Sequence, residues 1–179
     1  MSALDPTVLQ AAARRIRLVI FDVDGVLTNG QLFLGPAGEE WKVFHVRDGQ
    51  GLVMLQHTGI AVGIITGRHS AVVATRMAEL GIEYVYQGQQ NKLVALDDLR
   101  QRLGLELAEI CYVGDDLPDL AVLQCVGLPV SVADGHPHCV AAAAYCTQAG
   151  GGNGAARELC EFIMDAQGTL AGQYARYAG

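Results

Sequence analysis

Five carboxylates, one hydroxyl and one ammonium mark where this chain could do chemistry. Asp22 and Asp24 stand at the end of the apolar run "LVIF". Two residues apart on extended backbone, they project to the same side and repel each other unless a cation lies between or beside them. Three more carboxylates, Asp115, Asp116 and Asp119, stand in "GDDLPD" after another apolar run. Brought together, the five make an oxygen-only cluster of the kind Mg²⁺ favours when it also binds a substrate phosphate. Thr66 in "IITGR" adds a hydroxyl, and Lys92 in "QNKL" adds an ammonium. A carboxylate nucleophile, a divalent cation, a hydroxyl donor and a lysine are the parts that in-line phosphoryl transfer needs. Singly, each has a plainer reading: Asp116 and Asp119 as loop acids capping a helix, Thr66 as a turn residue, Lys92 as a solvated helix residue.

Such a set needs a frame that gathers it. Apolar, β-branched runs alternate with stretches of helical period, the pattern of a βαβ array with a parallel sheet. Strands are expected at 17–21, 60–65, 84–86, 110–113 and 127–131, each almost continuously apolar, with a short one near Tyr145. Helices fit 49–57, 70–80, 90–103, 118–123, 137–144 and 154–166, with Ser70 opening one and Gly59, Gly81 and Gly104 just past the ends of three. The expected fold class is α/β: a three-layer, Rossmann-like parallel sheet with helices on both faces. Ligands collect at the carboxyl ends of such strands. Asp22, Asp24, Thr66 and Asp115 each follow a strand, and Lys92 opens the helix after 84–86.

One segment breaks the alternation. Two apolar runs around "GPAGEE" predict a β-hairpin at about 30–47, inserted directly after the aspartate loop. Its Leu32, Phe33, Leu34, Trp41, Val43 and Phe44 carry more apolar surface than a lone two-stranded ribbon hides, which suggests an interface; a hairpin folded onto its own core is the alternative. The cluster "AGGGNGAARE" predicts a flexible glycine-rich C-terminal tail from about 149, either a plain linker or a segment that folds over a ligand.

Composition bounds the rest. With 179 residues and 51% of them apolar, a single domain over 1–179 is expected. A net charge of −7 without a basic run argues against a nucleic-acid partner and against a membrane anchor. The apolar run before Asp22 is too short for a signal peptide or a membrane span, so a cytoplasmic protein is expected. Five cysteines without CxxC or CxxH spacing read as buried reduced thiols, and the five histidines show no metal-ligand spacing.

The motifs resemble those of the haloacid dehalogenase-type phosphatases. "DVDGV" with Asp22 and Asp24 is similar to that family's first motif, "IITGR" with Thr66 to its second, Lys92 to its third and "GDDLPD" to its fourth. Response-regulator receiver domains use a similar kit, but with the phosphoacceptor on a middle strand, whereas here the aspartate pair ends the first. "YQGQQNKL", "VADGHP" and "GGGNGAARELCEFI" resemble a narrower branch, the 3-deoxy-D-manno-octulosonate 8-phosphate phosphatases of lipopolysaccharide biosynthesis, and the likeness runs from about 17 to 168.

The resemblance implies roles. Asp22 would be the nucleophile and a Mg²⁺ ligand. Asp24 would be the general acid and base, with its backbone carbonyl on the metal. Thr66 and Lys92 would hold the phosphoryl group, Asp115 would be a second metal ligand, and Asp116 or Asp119 would orient a metal-bound water or Lys92. The spans between the motifs leave no room for a cap domain, so the resemblance implies a homotetramer in which the hairpin helps close a neighbouring site. A phosphorylated 2-keto sugar acid also carries a carboxylate, for which Arg68, then Arg76, and more weakly Arg47 and Arg157 are candidates, with Gly67 beside Arg68 among the expected substrate-binding residues. Arg47 and Arg157 also read as partners of nearby acids. Two other functions compete: a phosphatase for a nine-carbon keto sugar acid 9-phosphate, and a non-catalytic tetramerisation module.

Overall fold

The computed structural model describes residues 6–178. In chain order its strands are β1 (Leu18–Phe21), β2 (Phe33–Leu34), β3 (Glu40–Trp41), β4 (Ala61–Ile65), β5 (Tyr84–Tyr86), β6 (Ile110–Gly114), β7 (Leu128–Ser131) and β8 (Tyr145–Cys146). Its helices are α1 (Pro6–Ala13), α2 (Val46–Gln56), α3 (Ala71–Glu79), α4 (Lys92–Leu103), α5 (Leu120–Leu123), α6 (Pro137–Ala142), α7 (Ala155–Ala166) and α8 (Leu170–Ala178). Six strands form a parallel sheet in the order β5-β4-β1-β6-β7-β8.

The alternation of strand side chains builds the three layers. In β1, Val19 and Phe21 join one apolar cluster with α2, α3 and α7, while Leu18 and Ile20 join the other with α4, α5 and Cys139 of α6. β6 divides the same way, Cys111 and Val113 to the first face, Ile110 and Tyr112 to the second. Covered on both faces, these strands have no polar side to show. Phe21 lies opposite both Ile64 and Val113, so β1, β4 and β6 end level. The chain leaves β1 for β4 on one flank and later returns to β6 on the other, which opens a crevice above the β1 carboxyl end.

The helix before the site, the hairpin and the glycine-rich segment differ from the sequence reading. Helix α2 begins at Val46 rather than Gly49, because Gly49 and Gly51 are helical contacts rather than a start signal: a Cβ on Gly51 would lie 3.0 Å from the Arg157 Cα, and one on Gly49 would lie 2.5 Å from the Arg76 guanidinium. The hairpin is short. Only Phe33 with Trp41 and Leu34 with Glu40 are paired, and Val46 and Arg47 already belong to α2. Leu34, Trp41 and Val43 are each more than 60% exposed, whereas Phe44 is packed against the core.

The glycine-rich segment is no loose tail. Gly151 donates its N–H to Asp134 Oδ1 at 2.9 Å, Gly152 donates to the Val26 carbonyl at 2.9 Å, and a Cβ on Gly151 would sit 1.7 Å from the Gly25 carbonyl oxygen. These glycines serve close approach, not mobility. Buried Asp48 of α2 then caps α7, accepting from the backbone of Gly154 at 3.1 Å and of Arg157 at 2.8 Å. Among the described residues no helix is long and apolar enough to cross a membrane.

Candidate active site

Above the level ends of β1, β4 and β6 lies an open cleft of about 360 Å³. Asp22, Asp24, Gly30, Thr66, Gly67, Arg68, Lys92, Asp115, Asp116, Pro118 and Asp119 line it. Asp22 extends the ladder by one residue, its N–H donating to the Val113 carbonyl at 3.0 Å, so its side chain is as fixed as the strand. The chain then turns sharply: the N–H groups of Val26, Leu27 and Thr28 all donate to the Val23 carbonyl. Gly25 makes this possible, with φ +96° and no Cβ to strike the Asp115 carboxylate, which would lie 2.0 Å away.

Asp119 is the hub of the far wall. It is 1% exposed, and its Oδ1 accepts from Lys92 Nζ at 2.7 Å and from the Tyr112 hydroxyl at 2.5 Å. Its Oδ2 accepts from the backbone N–H groups of Asp115 and Asp116. Lys92 Nζ reaches on to Asp22 Oδ1 at 3.1 Å, so one buried ammonium bridges two strand ends. Thr66 is buried beside them, its N–H donating to the Tyr86 carbonyl and its carbonyl accepting from Gln89.

Burial raises the Asp22 pKa to about 6, with Lys92 opposing the rise and Asp119 adding to it. Asp115 goes higher, to about 8, through burial and then the charges of Asp22, Asp119 and Asp116. Burial alone would lower Lys92, but Asp22 and Asp119 hold it above the usual lysine value. The pattern is a site whose Asp22, Asp115 and Asp119 carry more negative charge than Lys92 offsets.

That imbalance fits a divalent cation. Asp22, Asp115 and Asp119 can each offer an oxygen within 4.8 Å of the others. Asp119 has both oxygens committed, whereas buried Asp22 Oδ1 and Asp115 Oδ1 accept no hydrogen bond, Asp22 Oδ1 having only its ion pair to Lys92. Asp22 and Asp115 are therefore the side chains that suit Mg²⁺, an oxygen-seeking ion.

The raised Asp115 makes metal binding pH-dependent. Below pH 8 the metal-free site holds a proton that Mg²⁺ must displace, so its Kd is expected to fall about tenfold per pH unit from about 6 to 8 and then level off. Calorimetry in buffers of different ionisation enthalpy would count the released proton; a flat Kd would exclude the coupling. Metal-free stability runs the other way. The folded value lies above the unfolded 3.8, so the metal-free Tm is expected to fall as pH rises from about 4 to 8, and Mg²⁺ offsets that loss.

The structure thus brings together Asp22, Asp24, Thr66, Gly67, Arg68, Lys92, Asp115, Asp116 and Asp119. It leaves three sequence candidates outside the cleft. Arg76 pairs with Glu79 at 3.1 Å on α3, Arg157 pairs with Glu161 at 2.6 Å on α7, and Arg47 sits exposed in the first turn of α2. Sequence reasoning missed Lys42 and Glu40, which lie over Asp24 and Arg68, and Tyr112, which holds Asp119. A signal existed: the chain has only two lysines, Lys42 and Lys92, and both side chains are buried at this site.

Residues 82–159 match the haloacid dehalogenase-like hydrolase family model. Together with curated phosphatases 49% identical over most of its length, the match defines the chain as a haloacid dehalogenase-like phosphoric monoester hydrolase. It is 49% identical to the Escherichia coli (strain K12) 3-deoxy-D-manno-octulosonate 8-phosphate phosphatase KdsC over 89% of this chain and 85% of that one. The chain belongs to the 3-deoxy-D-manno-octulosonate 8-phosphate phosphatase family. The Moraxella catarrhalis phosphatase, solved with magnesium ion, phosphate ion and KDO, has a TM-score of 0.94 at 43% identity, covering 97% of this chain and 99% of that one. The cobalt-bound Haemophilus influenzae phosphatase has a TM-score of 0.88 at 37% identity, covering 92% and 99%.

Proposed function

We propose that the chain hydrolyses 3-deoxy-D-manno-octulosonate 8-phosphate to the free sugar acid and phosphate, with Mg²⁺, in lipopolysaccharide biosynthesis. What carries the chemistry is the Asp22–Lys92–Asp119 bridge beside the unpartnered Asp115 oxygen. The substrate is supported by the names of relatives at 49% identity.

Asp22 attacks phosphorus, the bond to the sugar oxygen breaks, and Asp24 gives that oxygen a proton. Water then attacks phosphorus in the aspartyl-phosphate, Asp24 takes a proton from that water, and the bond to the Asp22 oxygen breaks, so that phosphate leaves and the Asp22 carboxylate is restored. Lys92 and Thr66 face the phosphoryl oxygens and donate to them as negative charge moves outward. When bound by Asp22 and Asp115, Mg²⁺ offsets the repulsion between phosphate and the carboxylates. Arg68 lines the cleft, which supports it as the cation for the substrate carboxylate.

No cap covers the cleft among the described residues, and the exposed Leu34, Trp41 and Val43 support a homotetramer assembled through the hairpin, with Arg76 serving a neighbouring copy. The five unpaired cysteines suit the reducing cytoplasm.

The test is phosphate release from the eight-carbon 8-phosphate, a nine-carbon keto acid 9-phosphate and an aryl phosphate, with Mg²⁺ and with chelator. Preference for the first, lost with chelator, is expected. Preference for the nine-carbon acid would move the substrate, and no release from any would return the chain to the tetramerisation module.

A further inference from the structure

We propose that Lys42 is a positioning residue for Asp24, tying the hairpin arm to the acid–base carboxylate. The proposal rests on the phosphatase reading above. Lys42 follows β3, between Trp41 and Val43, which are both 61% exposed. Its own side chain is 0% exposed. Nζ contacts Asp24 Oδ1 directly and lies 3.5 Å from Glu40 Oε1. Arg68 closes the ring, with Nε 3.7 Å from Asp24 Oδ2 and a terminal nitrogen 3.3 Å from Glu40 Oε1. Both oxygens of Asp24 are thereby held by cations, one from the arm and one from the loop after β4.

The chain's other lysine cannot do this. Lys92 is committed to Asp22 and Asp119 on the opposite wall. A buried ammonium is tolerated only when well paired, so Lys42 stays turned inward because Asp24 and Glu40 are there. The dependence runs both ways. Asp24 stands past the end of β1, outside the sheet ladder that fixes Asp22, and needs another group to hold its side chain toward the leaving oxygen. The arm, with two paired residues per strand, needs an anchor that its backbone does not supply. Holding an acid in near-attack geometry is a rate effect, and it matters in proportion to how much the leaving group needs a proton.

That dependence separates positioning from general structural support. In the first turnover, Lys42→Met is expected to slow release of the sugar alcohol from its 8-phosphate at least about tenfold, while release of 4-nitrophenol, an acidic leaving group, changes less than about threefold. Lys42→Arg, which keeps the charge, should recover part of the loss. Equal losses on both substrates, or none on either, would overturn the proposal. A second readout needs no turnover: acetylation of Lys42, read by peptide mass spectrometry against Lys92, should rise at least about tenfold in Asp24→Ala while Lys92 stays nearly unchanged. Unaltered Lys42 labelling would overturn the pairing. A wild-type protein that releases neither leaving group would sink the phosphatase reading instead, and the labelling would still decide the contact.

Discussion

Asp22→Asn retains the fold and loses on the order of 10⁴-fold or more of phosphate release, the scale expected when a covalent nucleophile is removed. The amide has the shape of the carboxylate, and the backbone N–H of residue 22 still reaches the Val113 carbonyl, so β1 keeps its register. What disappears is the oxygen proposed as the nucleophile and one of the two side chains suited to the metal. The result also has a thermal signature. Asp22 is a buried carboxylate raised to about 6, pushed up by burial and by Asp119, and a neutral amide relieves that strain on the metal-free protein. Tm without Mg²⁺ is therefore expected to hold or rise at pH 7, while the increase brought by Mg²⁺ shrinks. Differential scanning calorimetry beside the phosphate assay checks both; an active Asp22→Asn protein would remove Asp22 from the mechanism.

Lys92→Met is expected to damage stability and rate together. The ammonium is 3% exposed and joins Asp22 to Asp119, so a thioether there leaves buried carboxylates without their cation. Removing one partner of a buried pair costs about 3–5 kcal/mol, which for a chain of this size lowers Tm by roughly 10 °C. Loss of the donor proposed to face the phosphoryl group is expected to lower kcat by roughly 10²–10³-fold. Mg²⁺ should recover part of the stability, since it supplies positive charge to the same carboxylates, but not the rate. A variant that keeps both its melting temperature and its kcat would show that the buried bridge is dispensable.

How far the sequence could be read depended on which forces are local. The strands were legible because a strand covered on both faces is apolar at every position, as in "LVIF" and "ICYV". The strand-end motifs were legible because side-chain chemistry sits beside a sheet whose ligand edge is fixed by topology. Helix α2 was read short because residues up to about 47 were assigned to the hairpin, whereas Val46 and Arg47 already belong to the helix, and Gly49 and Gly51 sit inside it against Arg76 and Arg157. The expected helix at 118–123 opens instead as a 3₁₀ turn, Leu117–Asp119, because the Asp119 carboxylate bends back to take two backbone N–H groups. The helix expected to reach 144 stops at Ala142, where the Ala144 N–H turns to the Pro129 carbonyl beside β7 and the chain enters β8. The terminal helices α1 and α8 were not anticipated. Lys42 was missed for a related reason. Flanked by exposed apolar residues on a hairpin, it has no local pattern, and its meaning comes from a carboxylate 18 positions earlier.

The contact between Gly151 and Gly25 also makes the finished site depend on late residues of the chain. The loop that carries Asp24 is walled by residues more than a hundred positions later in the chain, and Asp48 of α2 finds its backbone partners only at Gly154 and Arg157. A nascent chain that has already made β1, β4 and β6 holds every carboxylate of the cleft without the wall that shapes the loop between two of them. Chains ended before Gly151 are expected to release no phosphate despite carrying Asp22, Asp24, Thr66, Lys92 and Asp115, and activity should arise only when the segment through α7 has docked. A site whose carboxylates come from the first two thirds of the sequence is thus expected to work only once the segment from Gly151 through α7 has closed its wall.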